Sequence, residues 1–232
     1  MNKIENRFVR PVNLQQFSQV NKPILVGKVE IDEVPEQHVL RVLVKSPYSK
    51  GLHLTSDVKW LGGAVHQAKE HQAQKIGINH PYTYVTVRSG IVKCTRDGEW
   101  HVDGFSTRYT HLPEANYVVV FGDTPTEYVE QSFDFPPDFD PLVHNVHRFF
   151  QNRIDSSKIK TFEPGMLYMV DPYVVHRRPA VPANTKRCFA RVSLTPIEIP
   201  DLNNAVNPMI STSHYTYDGI KEFRDLLKDY DE

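Results

Sequence analysis

The 232-residue chain has only two cysteines, Cys94 and Cys188, and no C-x-x-C spacing. A disulfide framework and a cysteine-based zinc site are therefore excluded as its organising chemistry. It has no run of about 20 apolar residues, and its first ten residues mix charged and apolar groups without a signal-peptide core. A cytoplasmic protein that makes no use of a membrane is expected. Neither sign of charge is in excess: 27 Lys and Arg stand against 28 Asp and Glu, for a formal net charge of -1. No global field therefore draws the chain to nucleic acid or to an anionic membrane surface. Internal repeats and low-complexity tracts are also absent, and the length suits one compact domain spanning residues 1–232.

What the chain does have is punctuation. Seventeen prolines cut it into short elements, which favours a β-rich fold. Residues 56–74 open on Ser56 and carry Val58, Leu61, Val65 and Ala68 at helical spacing, which reads as a helix interrupted by Gly62 and Gly63. Residues 82–88 and 91–95, on either side of Ser89-Gly90, read as a hairpin. Further strands are expected at 116–121, 127–133, 158–162, 166–170, 173–176 and 187–195. So many short strands suggest a sandwich or barrel. Residues 133–140 are rich in Pro and Asp and lead into a short helix over 141–151, an insert placed to cover a pocket mouth. A C-terminal helix over about 217–230 gathers Ile220, Phe223, Leu226 and Leu227 on one stripe, as in a helix docked on the outside.

The chemistry is carried by three segments. His101-Val102-Asp103 puts an imidazole and a carboxylate on the same side of an extended chain, because side chains two residues apart project together. Alone the triplet is weak, since this composition supplies roughly 0.7 H-x-D triplets by chance. The second segment runs from Phe162 through Pro164-Gly165, the apolar residues Met166 to Val170, and Asp171-Pro172 to His176: a turn, a strand, a second turn and an extended run ending in histidine. It resembles the distal-histidine segment of the Fe(II)- and 2-oxoglutarate-dependent oxygenases, nearest to the phytanoyl-CoA dioxygenase-like branch. The resemblance implies that His176 completes a metal site with His101 and Asp103. Two imidazoles and one carboxylate would leave open positions on Fe(II) for a chelating oxo acid and O2. An Asp in the ligand set argues against halogenation, for which relatives carry a small residue there.

The third segment is an alternating strand in which Arg187, Phe189, Arg191 and Ser193 share one face. Two buried guanidinium groups would cost several kcal/mol unless an anion met them. Arg187 stands eleven residues after His176, where the resemblance implies the arginine that takes the distal carboxylate of 2-oxoglutarate, with Arg191 and Ser193 as helpers. Over residues 80–196 the resemblance implies a double-stranded β-helix of the jelly-roll, cupin-like type with flanking helices. It also implies a dioxygenase that releases succinate and CO2 as it hydroxylates its substrate. Trp100, Arg108, Tyr117 and Arg178 flank these motifs and are candidates to line a substrate pocket. His66 with Glu70, and His144 with His147, have helical spacing that metal sites also use, but read as surface positions. Three functions fit the sequence: an oxygenase of a free small molecule, an oxygenase of a nucleobase or protein side chain, and a cupin-like barrel that binds metal and ligand without turnover.

Overall fold

Short extended runs separated by turns can hide their apolar faces only by pairing with one another. The computed structural model describes residues 13–92, 96, 98–103, 115–141, 143–196, 198–199 and 203–210. Among them the chain forms β1 (Ile24–Lys28), β2 (Gln37–Lys45), α1 (Gly62–His71), β3 (Tyr82–Ile91), β4 (Ala115–Phe121) and β5 (Glu127–Val129). It continues with α2 (Val146–Gln151), β6 (Ile159–Thr161), β7 (Met166–Val170), β8 (His176–Arg177) and β9 (Lys186–Thr195). A six-stranded sheet has the order β1-β7-β4-β9-β3-β2, and a three-stranded sheet has the order β6-β5-β8. Every pairing is antiparallel, so the fold is mainly β with few helices. No helix among the described residues is long and apolar enough to cross a membrane.

Strand β9 organises the larger sheet. It runs between β3 and β4 in unbroken register, from Tyr82↔Thr195 to Ile91↔Lys186 on one side and from Ala115↔Leu194 to Phe121↔Cys188 on the other. Alternation then divides its side chains. Cys188, Ala190, Val192 and Leu194 join Val85, Val87, Tyr117 and Val119 in a core that packs on Ala64, Val65 and Ala68 of α1. On the opposite face Val118, Val120 and Phe189 meet Phe162, Tyr168, Val170 and Val174. A third layer, with Phe17, Phe133, Phe139, Val146, Phe149 and Phe150, packs on Trp100, Val102, Val129 and Val175.

Several expectations change. The helix expected over 56–74 does not break at its glycines: a 3₁₀ turn (Ser56–Leu61) passes directly into α1 at Gly62, since a first turn whose N–H groups have no intrahelical partner tolerates the tighter winding. The hairpin at Ser89-Gly90 does not form. Both residues lie inside β3, where they pair with Cys188 and Arg187, and this ladder to β9 overrides the local turn preference. The strand expected at 173–176 shortens to β8, because Asp171 accepts the backbone N–H of Tyr173 at 2.8 Å and holds a turn there. The 133–151 insert is a packing layer under the smaller sheet, since its phenylalanines are buried and Phe135 stacks on Phe149 with ring centroids 4.2 Å apart. Strands β1 and β2 extend the larger sheet beyond the expected 80–196 core. Lys93 to Thr95, Leu142 and the expected helix at 217–230 lie outside the described residues.

Gly122, just after β4, has φ +102, and a Cβ on it would come within 2.8 Å of the Lys186 carbonyl and 3.7 Å of Arg187 Cα. Gly51 has nearly the same φ, +103, with nothing within 4 Å. Alanine at either position meets backbone strain of about 1–3 kcal/mol; only at Gly122 does it also press on the start of β9. Urea denaturation is expected to show Gly122→Ala losing clearly more stability than Gly51→Ala, and equal losses would refute the close packing.

Candidate metal centre

His101 and His176 are joined by an antiparallel bridge. Each donates its backbone N–H to the other's carbonyl, at 3.0 Å from His101 and 2.9 Å from His176. Residues paired in this way project to the same face, so the two imidazoles lie side by side with centroids 4.5 Å apart. Alternation brings Asp103 to that face and turns Trp100 and Val102 to the aromatic layer behind it. Ligand atoms of His101, Asp103 and His176 all lie within 4.8 Å of one another.

The ring orientations are determined by backbone carbonyls. His101 Nδ1 lies 2.7 Å from Glu99 O, and His176 Nδ1 lies 2.9 Å from Val174 O. A carbonyl only accepts, so each Nδ1 carries a proton, and in the neutral ring the lone pair falls on Nε2. That is the tautomer a divalent metal needs, held by the outer hydrogen bonds that orient metal-binding histidines. Burial pushes the His176 imidazole down to about 4, so it stays neutral at physiological pH. Burial by itself would raise the Asp103 carboxyl, but the Arg191 guanidinium, with the imidazoles of His176 and His101, holds it well below the usual range. Asp103 Oδ2 lies 2.8 Å from Arg191 Nη1 and 3.8 Å from His176 Nε2. It is buried yet accepts no aligned hydrogen bond. A charged oxygen left in this state beside two imidazole lone pairs fits a divalent cation.

Arg187 shares the β9 face with Arg191 and is 9% exposed. Its Nε donates to Thr124 O at 2.8 Å and its Nη2 to Thr126 Oγ1 at 3.0 Å. The other N–H groups of the fork remain for a ligand, and no carboxylate among the described residues pairs with it. Burial, with Arg178 nearby, lowers Arg187 to about 10, so the charge persists at neutral pH.

The other sequence candidates separate. Arg191 and Ser193 do not stand with Arg187: Arg191 faces Asp103, and Ser193 Oγ donates to Asn116 Oδ1 at 2.6 Å. Four residues of strand place Arg187 and Arg191 about 13 Å apart, too far to share one carboxylate. Trp100 is 3% exposed and covered by the Arg177 guanidinium at 4.5 Å, so it belongs to the aromatic layer. Tyr117 points toward α1, where its hydroxyl lies 3.2 Å from His71 Nδ1; as an odd-numbered residue of β4 it faces away from the centre. Arg178 donates to Arg96 O at 2.6 Å and so ties down the turn before His101. Arg108 lies outside the described residues. His66 is exposed on α1, whereas His147 of α2 comes beside the centre, its ring centroid 6.1 Å from that of His101. Sequence reading passed over Arg88 and Asn116, which share the interior face with Arg191 and Ser193; their even spacing from the other polar residues of β3 and β4 was the available signal.

No protein-family model matches the sequence, and no curated protein matches it. Some solved structures are similar at low identity. EvdO2 from Micromonospora carbonacea var. aurantiaca, complexed with 2-oxoglutarate, is 12% identical with a TM-score of 0.34, over 49% of this chain and 51% of its own. The chain thus spans about half the length of that protein. HygX from Streptomyces hygroscopicus, with nickel and 2-oxoglutarate bound, is 11% identical with a TM-score of 0.40, over 83% of this chain and 84% of its own. A 2OG-Fe(II) oxygenase family oxidoreductase from Burkholderia pseudomallei is 14% identical with a TM-score of 0.34, over 72% and 73%. Likenesses at this level leave the chemistry to be read from the residues.

Asp171 holds the turn that delivers His176. Burial raises its carboxyl, and the backbone N–H groups of Tyr173 and Val174 offset this only in part. A carboxyl whose folded value is raised stabilises the fold when protonated, and that contribution is lost as pH rises through the folded value. Asp171→Asn keeps the acceptor for Tyr173 and removes the charge. Stability of the wild type relative to this variant, from urea melts across pH, is therefore expected to increase as pH falls from neutral toward about 4. A difference that does not change with pH would contradict the assignment.

Proposed function

We propose that this chain is an Fe(II)- and 2-oxoglutarate-dependent dioxygenase of jelly-roll architecture that hydroxylates a small-molecule substrate. The observation that carries the reading is the convergence of His101, Asp103 and His176, whose ligand atoms all lie within 4.8 Å of one another. Arg187, buried on the β9 face that carries Arg191 and without an acidic partner among the described residues, supports a co-substrate that brings a carboxylate of its own.

Three protein ligands leave open positions on an octahedral ion, which suits Fe(II) with a chelating oxo acid and O2. When bound, Fe(II) and 2-oxoglutarate supply the oxidising chemistry, in which decarboxylation to succinate and CO2 accompanies hydroxylation of the substrate. The chain's own residues do the rest. His101 and His176 would hold the ion through Nε2, since the Glu99 and Val174 carbonyls accept from Nδ1. Asp103 would contribute the negative ligand. Arg187, fixed by Thr124 and Thr126, offers a planar fork to the distal carboxylate, a geometry that Lys does not reproduce. Phe189, Val118, Phe162 and Val174 line the space between the sheets and exclude water from it.

Anaerobic addition of Fe(II) and 2-oxoglutarate is expected to give a charge-transfer absorbance, and O2 with substrate is expected to release succinate. His176→Ala is expected to lose both signals, and Arg187→Lys to raise the apparent 2-oxoglutarate requirement about tenfold. Absence of both signals from the wild type would leave a binding barrel without turnover, and strong competition by RNA, DNA or peptide would move the substrate to a macromolecule.

A further inference from the structure

The interior face of the larger sheet carries more positive charge than one co-substrate carboxylate can meet. Arg187 and Arg191 lie about 13 Å apart along β9, and each has its own surroundings: Thr124 and Thr126 for the first, Asp103 for the second. Arg88 projects between them from the adjacent strand. The register pairs Arg88 with Phe189 and Thr86 with Arg191, so Arg88 shares their face, one row removed from each arginine. It is exposed, and among the described residues it makes no hydrogen bond or ion pair. Burial of part of the side chain and the charges of Arg191 and Arg41 lower its pKa, and Asp103 opposes them only in part.

A count of charge shows the imbalance. A divalent cation and the 2-oxoglutarate dianion cancel, after which, among the described residues of this face, Arg88, Arg187 and Arg191 stand with the carboxylate of Asp103. An excess of two positive charges beside a reaction centre invites a second anion.

We propose that Arg88, with Arg191 beside it, forms a second anion station, separate from Arg187, and that the substrate carries a carboxylate or phosphate group that binds there. This rests on the oxygenase reading, which supplies the cation and the dianion of that count and names the ligand as substrate. Arg191 of the station is 2.8 Å from Asp103 Oδ2, which ties the station to the candidate metal centre. A guanidinium fork suits either head group, and the probes distinguish them.

The test uses the full chain loaded with Ni(II), which does not support turnover, and with saturating 2-oxoglutarate. Inorganic phosphate and, separately, propionate are titrated at ionic strength matched with chloride while the melting temperature is followed. A saturable rise that persists at saturating 2-oxoglutarate and weakens about tenfold in Arg88→Gln is expected, with Arg88→Lys intermediate. The probe with the larger response identifies the head group. No rise beyond the chloride control, an equal rise in Arg88→Gln, or a rise that vanishes as 2-oxoglutarate increases would each overturn the station. Should 2-oxoglutarate itself fail to bind the Ni(II)-loaded chain, the oxygenase reading falls. The same titrations without it then decide the station alone, which survives only if the response depends on Arg88.

Discussion

Two backbone hydrogen bonds between residues 101 and 176 hold the centre together, and most of what the molecule can do follows from them. They join segments far apart in sequence, and their antiparallel geometry sends both imidazoles to one side. The same pairing sets the neighbours. Val174 joins the core between the sheets, while Val175 goes to the aromatic layer with Trp100 and Val102. A one-residue slip would exchange those faces and move the ligands out of the interior. The aromatic layer therefore does more than add apolar burial, because its fit against Trp100, Val102 and Val175 rejects the slipped register.

The second constraint is electrostatic. One face of β9 carries both Arg187 and Arg191, and among the described residues Arg187, largely shielded from water, donates to the neutral oxygens of Thr124 and Thr126. Such an arrangement is unfavourable for stability taken alone, and the surrounding structure sustains it. The extended valine-rich core against α1 and the stacked phenylalanines under the smaller sheet supply the apolar burial. Gly122 lets the loop carrying Thr124 and Thr126 lie directly on the start of β9. Stability is thus drawn from two faces of the molecule and applied to a polar interior between them.

Where the sequence was readable, the reason was local. Met166–Val170 forms β7 with its expected bounds, and the alternation in β9 places Arg187, Arg191 and Ser193 on one face as read. Where it was not, the deciding partner was distant. β1 has a mostly exposed pattern and a bulge near Gly27, and β2 loses its alternation at Arg41, whose φ is 47, so neither announces itself as a strand. Ser89-Gly90 carries a turn signal that β9 overrules by pairing with both residues. His147 looked like a surface residue because the tie that draws α2 to the His101 strand, Gln151 Nε2 to Trp100 O at 2.8 Å, spans 51 positions.

By itself the sequence determined the β-rich class and which side chains share a strand face, because a two-residue alternation belongs to the backbone and needs no knowledge of neighbours. It also placed His101 and Asp103 on one side of an extended segment. The tertiary structure alone decided which face looks inward, so that Tyr117 and Trp100 turn to packing layers while Arg88 and Asn116 turn to the centre. It alone separated Arg187 from Arg191 by giving one to threonine oxygens and the other to Asp103. The physical reason is that a side chain's direction is a local property, whereas the charge it meets depends on the register between strands distant in the chain.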